Sequence, residues 1–172
     1  MKSGIVGVSR RITVGTDKVK GRACIEYVQH ALAAGYRQID TAQAYENEEA
    51  IGTAIQRSLT TREKVSITTK ISAGFKQNPC SVEEATTRSE RSLELLGLDY
   101  VDTILIHHPG DDVADLEAAR NRRVTWQALE VMLSKGYVRS IGVSNYDVAH
   151  LNEMKQYARV LPTVNQIEVT DL

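Results

Sequence analysis

Strand-like and helix-like stretches alternate along nearly the whole of this 172-residue chain, and that alternation constrains the fold more than any other feature. Tyr36 to Asp40, Val65 to Ile71, Tyr100 to His107, Arg139 to Asn145 and Val164 to Val169 read as short strands. An opening hairpin is also predicted, with Ile5 to Val8 turning at Ser9-Arg10 into Ile12 to Val14. Between the strands, Gly21 to Ala34 puts Ile25, Val28 and Leu32 on one helical stripe. Asn47 is positioned to cap a helix whose buried face is Ile51, Ile55 and Leu59. Ser81 with Glu84 makes a capping box, opening a helix with Val82, Ala85, Leu93 and Leu96 inward and Gly97 past its end. Val124 to Ser134, carrying Trp126, Leu129 and Leu133, is a further helix, and Asp147 caps one carrying Leu151 and Met154.

Repeated βα units of this length predict a parallel α/β sheet, because each strand needs a covering helix to reach the next in the same direction. Such strands are expected to be apolar on both faces. Two closures are open: a doubly wound sheet or a (β/α)₈ barrel of the TIM type. No glycine-rich turn of the GxGxxG kind follows the first strand, which weighs against the dinucleotide-binding open sheet. In either fold the working face lies at the C-terminal ends of the strands.

The length suits one domain over residues 1–172. A net charge of -1, from 21 basic and 22 acidic residues, gives no electrostatic footprint for nucleic acid. Arg120, Arg122 and Arg123 lie beside Asp111, Asp112 and Asp115 and read as a solvated helix entry. No apolar run approaches the ~18 residues of a membrane span and no leader pattern opens the chain, so no membrane partner and a cytoplasmic location are expected. Cys24 and Cys80 read as structural thiols, and no metal site is expected.

Asp40, Tyr45, Lys70 and His107 each stand at or just after the end of a predicted strand, where scattered residues converge. Lysine is rarely set at the buried tip of an apolar strand without a carboxylate partner. A nearby ammonium favours the ionised form of a phenol, so Lys70 would make Tyr45 a better proton donor. Asp40 would hold the lysine, and His107 would hydrogen-bond a carbonyl oxygen. This group suits carbonyl reduction, in which a nicotinamide supplies hydride and tyrosine a proton.

The chain resembles the aldo-keto reductase family from about Gly15 onward. The resemblance is carried by Gly35-Tyr36-Arg37-Gln38-Ile39-Asp40-Thr41-Ala42 with Tyr45 and Asn47-Glu48, by Thr69-Lys70, and by Leu95-Gly97-Leu98-Asp99-Tyr100-Val101-Asp102 leading to Leu105-Ile106-His107. Gly136 to Arg139, Ile141-Gly142-Val143-Ser144-Asn145 and Pro162 to Glu168 complete it. It implies a (β/α) barrel that binds NADPH across its mouth. By position, Asp40, Tyr45, Lys70 and His107 correspond to the family's catalytic tetrad, with Tyr45 as proton donor. Ser144, Asn145 and Gln166 correspond to the residues that grip the nicotinamide carboxamide. Thr16 and Asp40 lie near the cofactor.

Two positions depart from the family pattern. Asp17 and His108 stand where aromatic residues usually line the substrate pocket, which implies a more polar pocket for a small carbonyl substrate. About six strands are expected where a closed barrel has eight. The family's last two units carry much of the cofactor site and are not expected within these residues. Exposed sheet edges then favour a homo-oligomer. Beside the reductase, the sequence leaves two alternatives open. One is a cofactor-independent acid-base enzyme (an isomerase, cyclase, dehydratase or condensing enzyme) acting on a carbonyl. The other is a noncatalytic partner-binding module.

Overall fold

The computed structural model describes residues 12–73, 81–110 and 114–168. Its strands are β1 (Val14–Gly15), β2 (Gln38–Asp40), β3 (Ser66–Ile71), β4 (Val101–Ile106), β5 (Val138–Ser144) and β6 (Asn165–Gln166). Its helices are α1 (Gly21–Ala33), α2 (Glu48–Gln56), α3 (Val82–Leu96), α4 (Leu116–Ser134) and α5 (Val148–Met154). The strands pair in chain order and every pair is parallel. A doubly wound sheet would reverse its order partway, so this order decides for the barrel wall. The wall curves far enough for Gln166 of β6 to hydrogen-bond Asp40 of β2 across the interior.

Period-two alternation sorts each strand between two environments. Ile39, Ile67, Ile71, Ile104, Ile106, Ile141 and Val143 face the helices and join Val28, Leu32, Ile51, Leu96, Trp126, Leu129 and Met132 in one core. Fully burying each such aliphatic side chain stabilises by about 1.5–3 kcal/mol, so the apolar stability resides outside the wall. The opposite face corrects the expectation of strands apolar on both sides. Thr13, Gln38, Ser66, Thr68, Thr103 and Ser140 line an interior cavity of about 480 Å³. Thr13 Oγ1 donates to Gln38 Oε1 (2.9 Å), Ser140 Oγ lies 2.5 Å from Thr163 Oγ1, and the lining positions are half-buried or exposed, so polar side chains cost little there.

Several helix boundaries follow from identifiable caps. Ser81 Oγ accepts from Glu84 N (3.1 Å), and the Glu84 carboxylate pairs with Arg88 one turn on. Helix α3 ends at Gly97 in the left-handed region, φ 62°. Helix α4 starts eight residues before the expected Val124, because Asp115 Oδ1 accepts from Glu117 N and Ala118 N. That longer helix corrects the reading of the arginine cluster. Arg122 shares a stripe with Ala118, Trp126 and Leu129 and is fully buried, while Arg120 and Arg123 are exposed. Leu59 is also not a core residue; α2 ends at Gln56 and Leu59 is fully exposed. Strand β6 is shorter than expected, only Asn165 and Gln166 pairing with Val143 and Ser144. The N-terminal arm of the expected hairpin, Cys80, Asp111 and Asp112 lie outside the described residues. Cys24 is a buried free thiol. Among the described residues no helix is long and apolar enough to cross a membrane.

Helices α2 and α3 pack tightly at Gly52, where a β-carbon would stand 2.2 Å from Leu96 O and 2.7 Å from Leu96 C. The obstacle is backbone and cannot rotate away. Gly52→Ala gains about 1 kcal/mol of helix propensity but forces the helices apart, at about 1–3 kcal/mol or more. The clash wins: we expect a net loss of stability, measured as a lower denaturant midpoint at unchanged m-value.

Candidate active site

Lys70 and Asp40 organise the mouth of the barrel. Both lie on the inward face at the C-terminal ends of adjacent strands, and the lysine side chain is 1% exposed. Its ammonium donates to Asp40 Oδ1, to Thr41 O (3.2 Å) and to Tyr45 Oη (3.4 Å), one acceptor for each hydrogen. The other aspartate oxygen accepts from Gln166 Nε2 at 2.9 Å. Next to Lys70, Thr69 turns outward and donates to Glu48 Oε1 at 2.6 Å, tying α2 to β3. Burial raises the Glu48 carboxyl above its ordinary pKa.

Tyr45 reaches the lysine from a 3-10 turn, Gln43–Tyr45, that closes at Glu46 in the left-handed region. Asn47 fixes this turn, though not by the cap expected of it. It occupies the position before α2, but its side chain makes no cap bond. Instead Nδ2 donates to Thr16 O (2.8 Å) and Val19 O (2.9 Å), while Oδ1 accepts from Thr41 Oγ1 at 2.6 Å. One buried amide thus joins the loop after β1 to the loop after β2. Gln43 Nε2 secures the far side through Arg88 O (2.6 Å) and Ser92 Oγ (2.9 Å).

His107 follows β4, its backbone N donating to Ile71 O at 2.9 Å. Its ring meets Tyr45 edge-on, centroids 5.6 Å apart. Burial, with smaller repulsions from His108 and Lys70, lowers its pKa from the usual 6.5 to about 4, so the imidazole is neutral at physiological pH. Buried Arg122 braces this loop. It donates to Pro109 O (2.9 Å) and to Glu153 Oε2 of α5 (2.6 Å).

The residues expected to hold a nicotinamide form the adjoining rim. Ser144 Oγ and Asn145 N both donate to Gln166 O, at 3.0 and 2.9 Å. Asn145 adopts a left-handed φ of 62°, and its Nδ2 reaches His107 O (2.9 Å), His108 Nδ1 (3.0 Å) and Ser144 Oγ (3.1 Å). Among the described residues the side-chain oxygens of Asn145 and Gln166 take no hydrogen bond, which leaves two acceptors suited to a carboxamide NH₂. Thr16 is buried and its hydroxyl donates to Asp40 O (2.9 Å), so it acts on the site through Asp40. Asp17 is exposed on the loop after β1, and its charge acts on His107. His108 is exposed and stacks on His107, centroids 4.5 Å apart. Among the described residues no group of His, Cys, Asp and Glu is placed to hold a metal ion.

The four residues read from strand ends therefore converge. Sequence reasoning missed the Asn47 knot, the Gln166 bond to Asp40 and the Arg122 brace. The only signal for Asn47 was a polar residue two after Tyr45, which a helix cap explained equally well.

Comparison with known proteins agrees with this architecture. The model of the aldo/keto reductase family matches residues 11–172. Glyoxal reductase of Bacillus subtilis is 42% identical over 157 residues, covering 90% of this chain and 52% of that protein. The 9,11-endoperoxide prostaglandin H2 reductase of Trypanosoma cruzi is 41% identical, covering 84% of this chain and 47% of that protein. Among solved structures, an aldo/keto reductase from Brucella melitensis superposes with a TM-score of 0.82 at 35% identity, covering 92% of this chain and 58% of that one. An aldo-keto reductase of Bombyx mori in complex with NADP gives 0.74 at 33% identity, covering 92% and 54%. The chain spans about half the length of the relatives it matches. With its strand order, its Asp40–Lys70–Tyr45 cluster and a family match over nearly all its residues, the chain belongs to the aldo-keto reductase family.

Proposed function

We propose that this chain carries the acid-base centre of an NADPH-dependent enzyme that reduces an aldehyde or ketone. The observation that carries the reading is the Lys70 ammonium, bonded at once to Asp40 and to the Tyr45 hydroxyl, with the His107 ring against that tyrosine. A neutral His107 donates to the carbonyl oxygen and holds it near Tyr45 Oη. Tyr45 transfers its proton to that oxygen as negative charge develops there, and Lys70 stabilises the charge left on the phenol oxygen. Asp40 keeps the lysine aimed at the phenol. A reduced nicotinamide, when bound, supplies the hydride to the carbonyl carbon. Asn145 and Gln166 would take its carboxamide through their uncommitted oxygens, with Ser144 between them and Thr16 and Asp40 framing the other side.

Relatives named for glyoxal and methylglyoxal reduction suggest the first carbonyl compounds to try. Fluorescence titration tests NADPH binding, and loss of nicotinamide absorbance tests turnover. Tyr45→Phe should lower kcat by about 10²–10⁴-fold while NADPH still binds. Carbonyl conversion that needs Tyr45 but no NADPH would replace this reading with the cofactor-independent one.

For assembly we add a homo-oligomer paired through the edge strands β1 and β6, in the cytoplasm, where the free Cys24 thiol stays reduced. A monomer in sedimentation at micromolar concentration would overturn the first part.

The lowered His107 pKa sets a sign. Between 6.5 and about 4 the unfolded chain protonates this histidine and the folded protein does not. The stability from neutral His107 is therefore complete above pH 6.5 and is lost as pH falls toward about 4. Denaturant midpoints should decline over that window, and less steeply in His107→Phe. The same titration predicts no acid limb from His107 in kcat/KM above about pH 5.

A further inference from the structure

We propose that Asn47 is a positioning residue for proton transfer, its side-chain amide holding Tyr45 Oη within reach of the Lys70 ammonium. This role rests on the carbonyl-reduction reading and adds to it the group that sets the geometry of the proton donor.

Of the three acceptors around the ammonium, only Asp40 belongs to a strand, where pairing with Thr68 fixes it. Thr41 and Tyr45 follow that strand. The tyrosine contact is the longest of the three, 3.4 Å, near the limit of a hydrogen bond, so a displacement of about an ångström breaks it. Within the turn Tyr45 N donates to Ala42 O (3.0 Å) and Glu46 N to Gln43 O (3.1 Å). Those bonds shape the turn but do not place it against the lysine. Gln43 anchors it to α3 through Arg88 O and Ser92 Oγ, which leaves the side toward Lys70 to another group.

That group is Asn47. Its amide meets two backbone carbonyls, Thr16 O (2.8 Å) and Val19 O (2.9 Å); a carbonyl can only accept, so Nδ2 points there and Oδ1 is turned to Thr41 Oγ1 (2.6 Å). Thr16 in turn sends its backbone N (3.1 Å) and its hydroxyl (2.9 Å) to Asp40 O. Asn47, Thr16, Asp40, Lys70 and Thr41 form a closed ring, and each of them is buried. Tyr45 joins this ring twice, through the chain two residues before Asn47 and through its hydroxyl at Lys70. The ring also has a rigid reference. Asn47 O accepts from Ile51 N (3.1 Å) at the start of α2, and Glu48 beside it accepts from Thr69, the neighbour of Lys70. Consecutive residues at one helix start therefore hold the proton donor on one side and the lysine strand on the other. Capping does not account for the residue, since its side chain makes no cap bond. A carboxylate here would set negative charge against two carbonyls, so the place requires an amide.

Asn47→Ala should lower kcat about 10–100-fold while KM for the carbonyl compound and NADPH affinity by fluorescence each stay within about twofold. That variant leaves two buried carbonyls unbonded and can fail to fold, so Thr41→Val opens the same ring with a side chain of the same shape. Its kcat should fall about tenfold, and Thr41→Ser, which keeps the hydroxyl, should recover most of the loss. An unchanged kcat in folded Asn47→Ala or in Thr41→Val overturns the proposal, as does an equal loss in Thr41→Val and Thr41→Ser. A loss carried by NADPH affinity alone also overturns it, because the amide would then serve only the loop after β1. Hydrogen exchange of the Lys70 ammonium, followed in nitrogen-15 spectra, is a readout independent of turnover. It should quicken about tenfold in Thr41→Val and in folded Asn47→Ala, while the backbone amides of β4 change only as far as the denaturant midpoint does. An ammonium that quickens no more than those amides refutes the positioning role. If no carbonyl compound oxidises NADPH, the reductase reading fails by itself, and the exchange rates alone decide for or against Asn47.

Discussion

A lysine ammonium with almost no access to water is unstable unless its hydrogens are all taken, and the mouth of this barrel is arranged around meeting that demand at Lys70. Asp40, Thr41 and Tyr45 each receive one hydrogen. Deleting one member of such a buried pair typically costs about 3–5 kcal/mol, because the other charge is left uncompensated. The pair therefore stabilises the fold only as an intact set. The same requirement brings the Tyr45 hydroxyl to the ammonium.

Satisfying Asp40 extends this demand around the barrel. Its second oxygen draws in Gln166 from β6, and its backbone carbonyl accepts from Thr16 after β1. The strands themselves are held from outside, by the aliphatic residues packed under the helices. The inner face, rich in hydroxyls, contributes little apolar stability and leaves room for polar groups to be set by hydrogen bonds. Apolar burial fixes where the strands run, and polar pairing at their ends fixes where Asp40, Lys70 and Tyr45 sit.

Most of the architecture was legible because it follows from local periodicity: all six strands and all five helices overlap stretches that the pattern picks out, although α4 begins eight residues earlier and β6 is shorter. Asp40, Tyr45, Lys70 and His107 were legible because each stands at or just after the end of a predicted strand, and the family resemblance pointed to the same four. What escaped depends on partners remote in sequence. Gln166 reaches Asp40 across 126 positions, and Asn47 serves two loops at once rather than the helix it precedes. Arg122 looked solvated because its neighbours are charged, yet the longer α4 turns it inward to Glu153. The inner-face hydroxyls were misjudged because the rule for parallel strands assumes that both faces are buried, whereas Thr13 is exposed and Gln38, Ser66, Thr68, Thr103 and Ser140 are half-buried.

Arg122 also connects the two loops that carry His107 and Asn145. Through Pro109 O it holds the segment carrying His107 and His108, and through Glu153 it holds the helix that begins just after Asn145. Asn145 closes the circuit by bonding both His107 O and His108. The ends of β4 and β5 are thus linked twice, once at the barrel mouth and once behind it. A shift of about an ångström would break the contacts of Asn145, so its amide depends on that second link. The buried guanidinium thus braces from behind the two loops that carry His107 and Asn145.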